Sequence, residues 1–212
     1  MNGHTLEAQE RRTVKAILSG SLADGIIGLA AAVVAVMGLA GIEPGLMLFI
    51  ATIAIGVALL FEGGTVGMQY SNLVAQGGRT PLDAAEIGSG MTAEFVGGAA
   101  GVALGILAMM GVYPVVLTAS AAVVYGVVLI FGSGITVRLN AIASQTEVRP
   151  QEHAVAHGML ISAANIQLLI GLAAVSLGIL ALVGYSPVTL VLTAMLIVGV
   201  ADIIRGTSIG SR

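Results

Sequence analysis

The feature that most constrains the fold is a pair of long uncharged runs on either side of one tight turn. Residues 25–42 and residues 44–61 contain no charged side chain and are equal in length. As helix, each run would measure roughly 27 Å, close to the ~30 Å hydrocarbon core of a bilayer. Between them stands the turn Gly41-Ile42-Glu43-Pro44. This pattern predicts a helical hairpin embedded in lipid.

The hairpin pattern occurs three times along the chain. Each Gly-x-x-Pro turn is preceded by a polar residue and a Gly and followed by a large apolar residue, at offsets that are the same in all three copies. The turn residues are Gly41 and Pro44, Gly111 and Pro114, and Gly184 and Pro187; the flanking residues are Gly28, Gly98 and Gly171, then Asp24, Glu94 and Gln167, then Phe61, Phe131 and Ile204. Constant offsets in three copies predict an internal triplication. Each turn Gly should end a helix in a left-handed conformation, and each Pro should begin the next helix.

Composition supports a membrane protein. Hydrophobic residues make up 57% of the chain and charged residues only 9%, against about 25% charged in soluble domains. The uncharged runs lack the alternation of a membrane β-barrel. We therefore expect an all-α membrane protein with six transmembrane helices, arranged as three tandem hairpins with a pseudo-threefold repeat. The absence of cysteine excludes disulfides and thiol chemistry.

The repeat divides the chain into six segments. These are an interfacial amphipathic segment (1–20), hairpin 1 (21–67), a connection with a helix extension (68–90), hairpin 2 (91–137), a second connection (138–157), and hairpin 3 with the tail (158–212). A secretory signal peptide is the alternative for the N-terminal segment. Pro81 and Pro150 are expected to open helices. The glycines expected to mark the far helix ends are Gly63, Gly64, Gly67, Gly132 and Gly134.

The basic residues predict the orientation. None of the three turns carries one, and all eight lie on the other side of the predicted bilayer: Arg11, Arg12, Lys15, Arg79, Arg138, Arg149, Arg205 and Arg212. The positive-inside rule then places both termini and both connections in the cytoplasm.

The ionisable residues at similar depth in the repeats form the candidate site. They are Asp24, Glu62, Glu94, Asp202 and Arg205. By helical rise they lie about 25 Å from the turns, near the cytoplasmic boundary of the hydrocarbon. One interpretation is a pH-sensing cluster or an ion path. The other is a set of charges that marks where the bilayer ends.

Other motifs give weaker signals. His153 and His157 are four apart on a predicted helix, but two histidines are too few for a structural zinc site. Ser133 lies in a Gly-Ser-Gly sequence without a histidine base inside any later span. We predict no enzyme activity, no cofactor and no metal site. The stripe of Gly97, Gly101 and Gly105 favours close packing on a helix of the same chain or of a second copy.

The third hairpin carries a resemblance to a known family. The residues that carry it are Gly178-Ile179-Leu180-Ala181-Leu182, then Pro187, then Gly199-Val200-Ala201-Asp202-Ile203-Ile204-Arg205-Gly206. Similar residues occur around Gly38 and Gly105 in the other hairpins. This resembles the HdeD family of bacterial membrane proteins over roughly residues 24–210. The resemblance implies six helices in the inner membrane and a link to acid-stress resistance, with no site residues to carry over.

Three function classes follow. The first is a non-enzymatic HdeD-type protein of acid or envelope stress. The second is a proton or ion channel or a small transporter, which would need a continuous polar path. The third is a structural or accessory subunit of a homo-oligomer or a larger membrane complex. Membrane lipids are the expected partners in all three, and the charge balance favours no nucleic acid.

Overall fold

The structure is a computed structural model that describes the backbone of residues 25–75, 81–143 and 153–210, and the side chains of 25–64, 92–132 and 166–204 within them. All regular structure in these ranges is helical. The helices are α1 Gly25–Leu39, α2 Pro44–Ala75, α3 Pro81–Met109, α4 Pro114–Ala143, α5 His153–Val183 and α6 Pro187–Gly210. Helix α3 is described from Pro81 onward, and the residues directly before Pro81 lie outside the described part of the chain, so the predicted helix start stays a prediction. The amphipathic segment 1–20 and the helix start at Pro150 lie outside the described residues.

Five of the helices are long and apolar enough to cross a membrane. Their candidate spans are Pro44–Gly64, Thr92–Met109, Pro114–Gly132, Ile166–Val183 and Pro187–Ile204. The described part of α1 is apolar but shorter than these spans. This architecture fits a multi-pass membrane protein.

The turns that join α1 to α2, α3 to α4, and α5 to α6 are closed by the same pair of hydrogen bonds. In the first turn, the amide of Gly41 donates to the carbonyl of Gly38 at 3.1 Å, and the amide of Ile42 donates to that of Met37 at 3.0 Å. The other turns repeat the pair: Gly111 to Ala108 and Val112 to Leu107, then Gly184 to Ala181 and Tyr185 to Leu180. This is the Schellman pattern, which satisfies carbonyls left open at a helix end.

Positive φ angles confirm the predicted role of the turn glycines. Gly41, Gly111 and Gly184 have φ of 88°, 89° and 101°. The residue before each Pro is also left-handed although it is not glycine: Glu43, Tyr113 and Ser186 have φ of 40°, 38° and 32°. Each outgoing helix then begins at its Pro, as predicted.

The outgoing helices α2, α4 and α6 form the inside of the molecule. They contact one another, and the largest fully buried side chains of the described residues all belong to them. The incoming helices lie outside: α3 contacts α2 and α4, and α5 contacts α4 and α6. Half of the α4 span is buried (50%), against 22% of the α5 span.

Helix α1 occupies the remaining outer position, between α6 and α2. A Cβ built on Gly38 of α1 would lie 2.9 Å from Leu192 on α6 and 2.9 Å from Met47 on α2. Every incoming helix therefore lies between two outgoing helices.

Glycines bring the backbones together where an outgoing helix meets an incoming helix of another hairpin. We call these three contacts seams, and each pairs a glycine of one helix with a carbonyl oxygen of the other. At the α2·α3 seam, a Cβ on Gly98 would lie 2.7 Å from the carbonyl oxygen of Gly56. At the α4·α5 seam, a Cβ on Gly171 would lie 2.7 Å from that of Gly126. At the α6·α1 seam, a Cβ on Gly28 would lie 3.0 Å from that of Gly199.

The glycines near the far helix ends do not end helices. That prediction for Gly63, Gly64, Gly67, Gly132 and Gly134 is wrong, because α2 continues to Ala75 and α4 to Ala143. Two of these glycines make room for other groups instead. A Cβ on Gly63 would lie 2.9 Å from the amide nitrogen of Phe95, and Gly132 borders the candidate site.

The glycine stripe of α3 packs within the chain. Gly97, Gly101 and Gly105 lie against Val128, Tyr125 and Ile53 respectively. Of the two partners expected for this stripe, the structure shows helices of the same chain.

Candidate functional site

Two polar side chains converge on a position of α4 that has no side chain. A Cβ built on Gly132 would lie 2.9 Å from Oε1 of Glu94 and 3.1 Å from Nε2 of Gln167. Glu94 belongs to α3 and Gln167 to α5, and both are buried, with 7% and 8% of their surface exposed. The Gln167 amide also donates to the carbonyl of Leu129 at 3.3 Å. Gly132 therefore leaves a space inside the helix bundle that is bordered by both a carboxylate oxygen and an amide nitrogen.

Asp202, the other buried acid of the candidate site, lies in the α6·α1 seam. Its exposure is 0%, and both carboxylate oxygens are shielded from solvent. A Cβ on Gly28 would lie 2.7 Å from the Cβ of Asp202. The aspartate side chain therefore begins within the helix–helix contact itself.

Tyr125 of α4 is fully buried and contacts two other helices. Its hydroxyl donates to the carbonyl of Thr52 on α2 at 2.6 Å, and its ring fills the space beside Gly101 on α3. Sequence reasoning missed Tyr125, although it is the one tyrosine placed in the middle of an apolar run.

The remaining predicted site residues are described only in part. Glu62 is half-buried on α2. It precedes Gly63, and the contact of Gly63 with Phe95 puts Glu62 and Glu94 at the same level of the α2·α3 seam. Asp24 and the side chain of Arg205 lie outside the described part of the chain, as do the side chains of His153, His157 and Ser133.

The burial of the acids bears on the two interpretations of the cluster. Charges that only mark the bilayer boundary would point to solvent or lipid headgroups, whereas Glu94 and Asp202 point into the bundle. Burial of an ionisable group in a membrane helix bundle is unfavourable and is usually connected with function. Within the described residues, no group of three or more acidic or histidine side chains is placed to hold a metal ion.

Comparison with protein-family models, with curated proteins and with solved structures gave no match. The resemblance to the HdeD family stays a prediction.

Proposed function

We propose that the chain is a six-span membrane protein whose three hairpins are related by a pseudo-threefold repeat and close into a ring. The seams support this proposal. Gly56, Gly126 and Gly199 stand at one common offset after their turn Pro, and each meets a glycine that stands at one common offset before a turn Gly. In this arrangement all three turns lie at one rim of the molecule. The positive-inside rule then puts the opposite rim and both termini in the cytoplasm of a bacterial inner membrane.

We infer that this protein is non-enzymatic, of the HdeD type, and responds to acid. The observation that carries this inference is the convergence of Glu94 and Gln167 on Gly132, at the end of the bundle opposite the turns. A carboxyl group beside an amide, inside an apolar bundle, changes the local free energy strongly when it gains or loses a proton. Proton binding there would alter the packing of α3, α4 and α5.

The test is the pH dependence of thermal unfolding of the protein in lipid nanodiscs. The unfolding temperature of the native chain should change between about pH 8 and about pH 5, and Glu94→Gln should reduce that change because glutamine fixes the neutral form. Glu43→Gln is the matched control, since Glu43 is exposed in the first turn. An equal pH dependence in Glu94→Gln and in the native chain would contradict the proposal.

The proton-channel alternative receives less support from the interior. Large side chains such as Leu48, Ile55 and Leu192 fill the space between α2, α4 and α6 in the described part of the bundle. Proton flux into liposomes separates the two functions. We expect no flux above that of empty liposomes; flux that falls in the Asp24→Asn/Glu94→Gln variant would favour the channel.

The packing of the α3 glycine stripe removes one argument for the accessory-subunit alternative. The glycine stripe of α3 is covered by α2 and α4 of the same chain, so it offers no contact surface for a second copy. Mass measurement in a mild detergent remains the direct test of self-association.

A further inference from the structure

The turns present apolar surface at one end of every hairpin. We call the residues between the two helices of each hairpin the turn residues: 40–43, 110–113 and 184–186. Their large side chains are exposed, with Met110 at 73%, Tyr113 at 77% and Tyr185 at 67%. Exposure of such side chains to bulk water is unfavourable, so the turn residues need an amphipathic cover.

The opposite helix ends are more polar. Helix α3 begins with residues that include Asp83 and Glu86, and α4 continues past Arg138 to Ala143. At the turns, by contrast, three or four residues join two apolar helices, and Glu43 is the one charged residue among them. A turn of this length adds no polar extension that could carry it into water. The turn residues are therefore expected in the interfacial layer, at the depth where the helices leave the hydrocarbon.

Two of the exposed turn side chains are suited to that layer. Tyrosine combines an apolar ring with a hydroxyl group, and it is enriched where the hydrocarbon of a membrane meets the headgroups. Tyr113 and Tyr185 lie in different turns and are among the most exposed large side chains in the described part of the chain. Their hydroxyl groups can donate hydrogen bonds to phosphate or ester oxygens of phospholipids.

Glu43 determines which headgroup is complementary in charge. It is exposed in the first turn, and its carbonyl accepts a hydrogen bond from the amide of Met47 at 3.0 Å, which fixes the backbone that carries the side chain. The turn residues include no lysine, arginine or histidine. An anionic headgroup would therefore meet a carboxylate and no cation, whereas an ammonium group would meet a carboxylate of opposite charge.

We propose that the turn residues bind zwitterionic phospholipids whose headgroup carries an ammonium group. Glu43 pairs with the ammonium group, and Tyr113 and Tyr185 donate to phosphate or ester oxygens of lipids in the same leaflet. This interaction surface lies at the other end of the bundle from Glu94 and Gln167, and its partner is the lipid itself, selected by the charge of the headgroup. The inference takes from the proposed function only that all three turns lie at one rim of the molecule.

The chain contains no tryptophan, so a single tryptophan can report on each turn. Ile42, Val112 and Tyr185 each directly follow a turn glycine and are exposed. The full-length variants are placed in bilayers in which either phosphatidylethanolamine or phosphatidylglycerol carries bromine on its acyl chains close to the ester groups. Bromine quenches tryptophan only at contact, and we expect quenching in Ile42→Trp, Val112→Trp and Tyr185→Trp alike.

Two other outcomes of the quenching experiment would overturn the proposal. Quenching by acrylamide in the water, in place of quenching by the brominated lipid, would show that the turns extend out of the interfacial layer. Protection from both quenchers would show that another protein or a second copy covers the turns.

The preference for one headgroup is measured in the Ile42→Trp chain. The affinity for phosphatidylethanolamine relative to phosphatidylglycerol should exceed one at the first turn. It should fall about two- to fivefold in Glu43→Gln, the size of effect that an exposed ion pair has. Glu86→Gln removes the same charge at the opposite end of the molecule and should leave the ratio unchanged. A ratio that Glu43→Gln does not lower would overturn the proposal.

This proposal and the proposed function can fail separately. Equal quenching at all three turns without a headgroup preference would remove the role of Glu43 and leave the ring and the acid response as they are. Quenching at one turn only would contradict the shared rim, and with it both the lipid proposal and the ring. The acid response is read from unfolding of Glu94→Gln, which contains no tryptophan.

Discussion

Two glycines near the first turn separate the effect of backbone conformation from that of side-chain contact. Gly41 and Gly45 both have open space where a Cβ would lie, but Gly41 has φ of 88° and Gly45 is helical. We expect Gly41→Ala to destabilise the protein by about 1–2 kcal/mol, since an L residue is strained in the left-handed region. Gly45→Ala should be neutral or stabilise by up to about 1 kcal/mol, because alanine favours helix.

Thermal unfolding in the same detergent or lipid checks this pair of substitutions. Opposite signs are the expected result. Equal destabilisation by both changes would mean that the first turn does not keep the left-handed conformation in the membrane.

At the same scale, the sequence predicts a depth for Asp202, which stays a prediction, and it did not predict that Asp202 is buried. Counting residues from Pro187 places it roughly 22 Å from the turn, whichever way it faces. The burial of Asp202 depends on which face of α6 carries it. Leu59 and Leu129 stand at the same offset after their turn Pro, and their apolar side chains could have indicated that this face points inward. Two leucines and one aspartate in equivalent places indicate an inward position only when the three copies are compared residue by residue.

At the scale of helix pairs, Tyr125 and Gly101 are complementary in size. A Cβ on Gly101 would overlap the phenol ring. At the same offsets, hairpin 1 has Ala31 with Ile55, and hairpin 3 has Ala174 with Val198. A smaller side chain on the outgoing helix is thus accompanied by a larger one on the incoming helix.

This complementarity predicts a compensating pair of substitutions. Gly101→Ala should destabilise by about 1–3 kcal/mol through overpacking, and Tyr125→Ile should destabilise by leaving a cavity. The double variant restores the combination found in hairpin 1, so we expect a coupling of about 1–3 kcal/mol in its favour. A double-mutant cycle on thermal or denaturant unfolding measures it, and additive effects would contradict the complementarity.

The glycines that were expected to end α2 and α4 show why local propensity was misleading. Glycine weakens a helix in water because it exposes backbone and gains entropy on unfolding. In lipid the backbone must stay hydrogen-bonded, so α2 and α4 continue through their glycines. Gly132 then serves packing, because its missing side chain leaves the space used by Glu94 and Gln167.

At the scale of the whole molecule, the three turns could be predicted and the contacts between helices that no turn joins could not. The Gly-x-x-Pro turns define which helices are neighbours along the chain, because each turn has only two residues between Gly and Pro. The seams join helices from different hairpins, and nothing in the local pattern selects their partners. Gly56, Gly126 and Gly199 recur at one offset and could have indicated a contact surface, but not the helix that covers it.

The seams yield a prediction about closure of the ring. Gly28→Ala, Gly98→Ala and Gly171→Ala each place a methyl group within 3.0 Å of a backbone carbonyl oxygen on the facing helix. Because backbone cannot move aside as a side chain can, each change should destabilise by about 1–3 kcal/mol or more. Gly45→Ala is the control, since its Cβ would meet nothing within 4 Å.

The comparison among the three variants decides how α1 is held. If the helices close into a ring in the membrane, Gly28→Ala must destabilise about as much as the other two, although α1 and α6 are not consecutive in the chain. If Gly28→Ala behaves like Gly45→Ala, α1 does not pack against α6, and the α6·α1 seam does not exist in lipid. Losses of stability of similar size in Gly28→Ala, Gly98→Ala and Gly171→Ala, with none in Gly45→Ala, are therefore the result that supports closure of the ring.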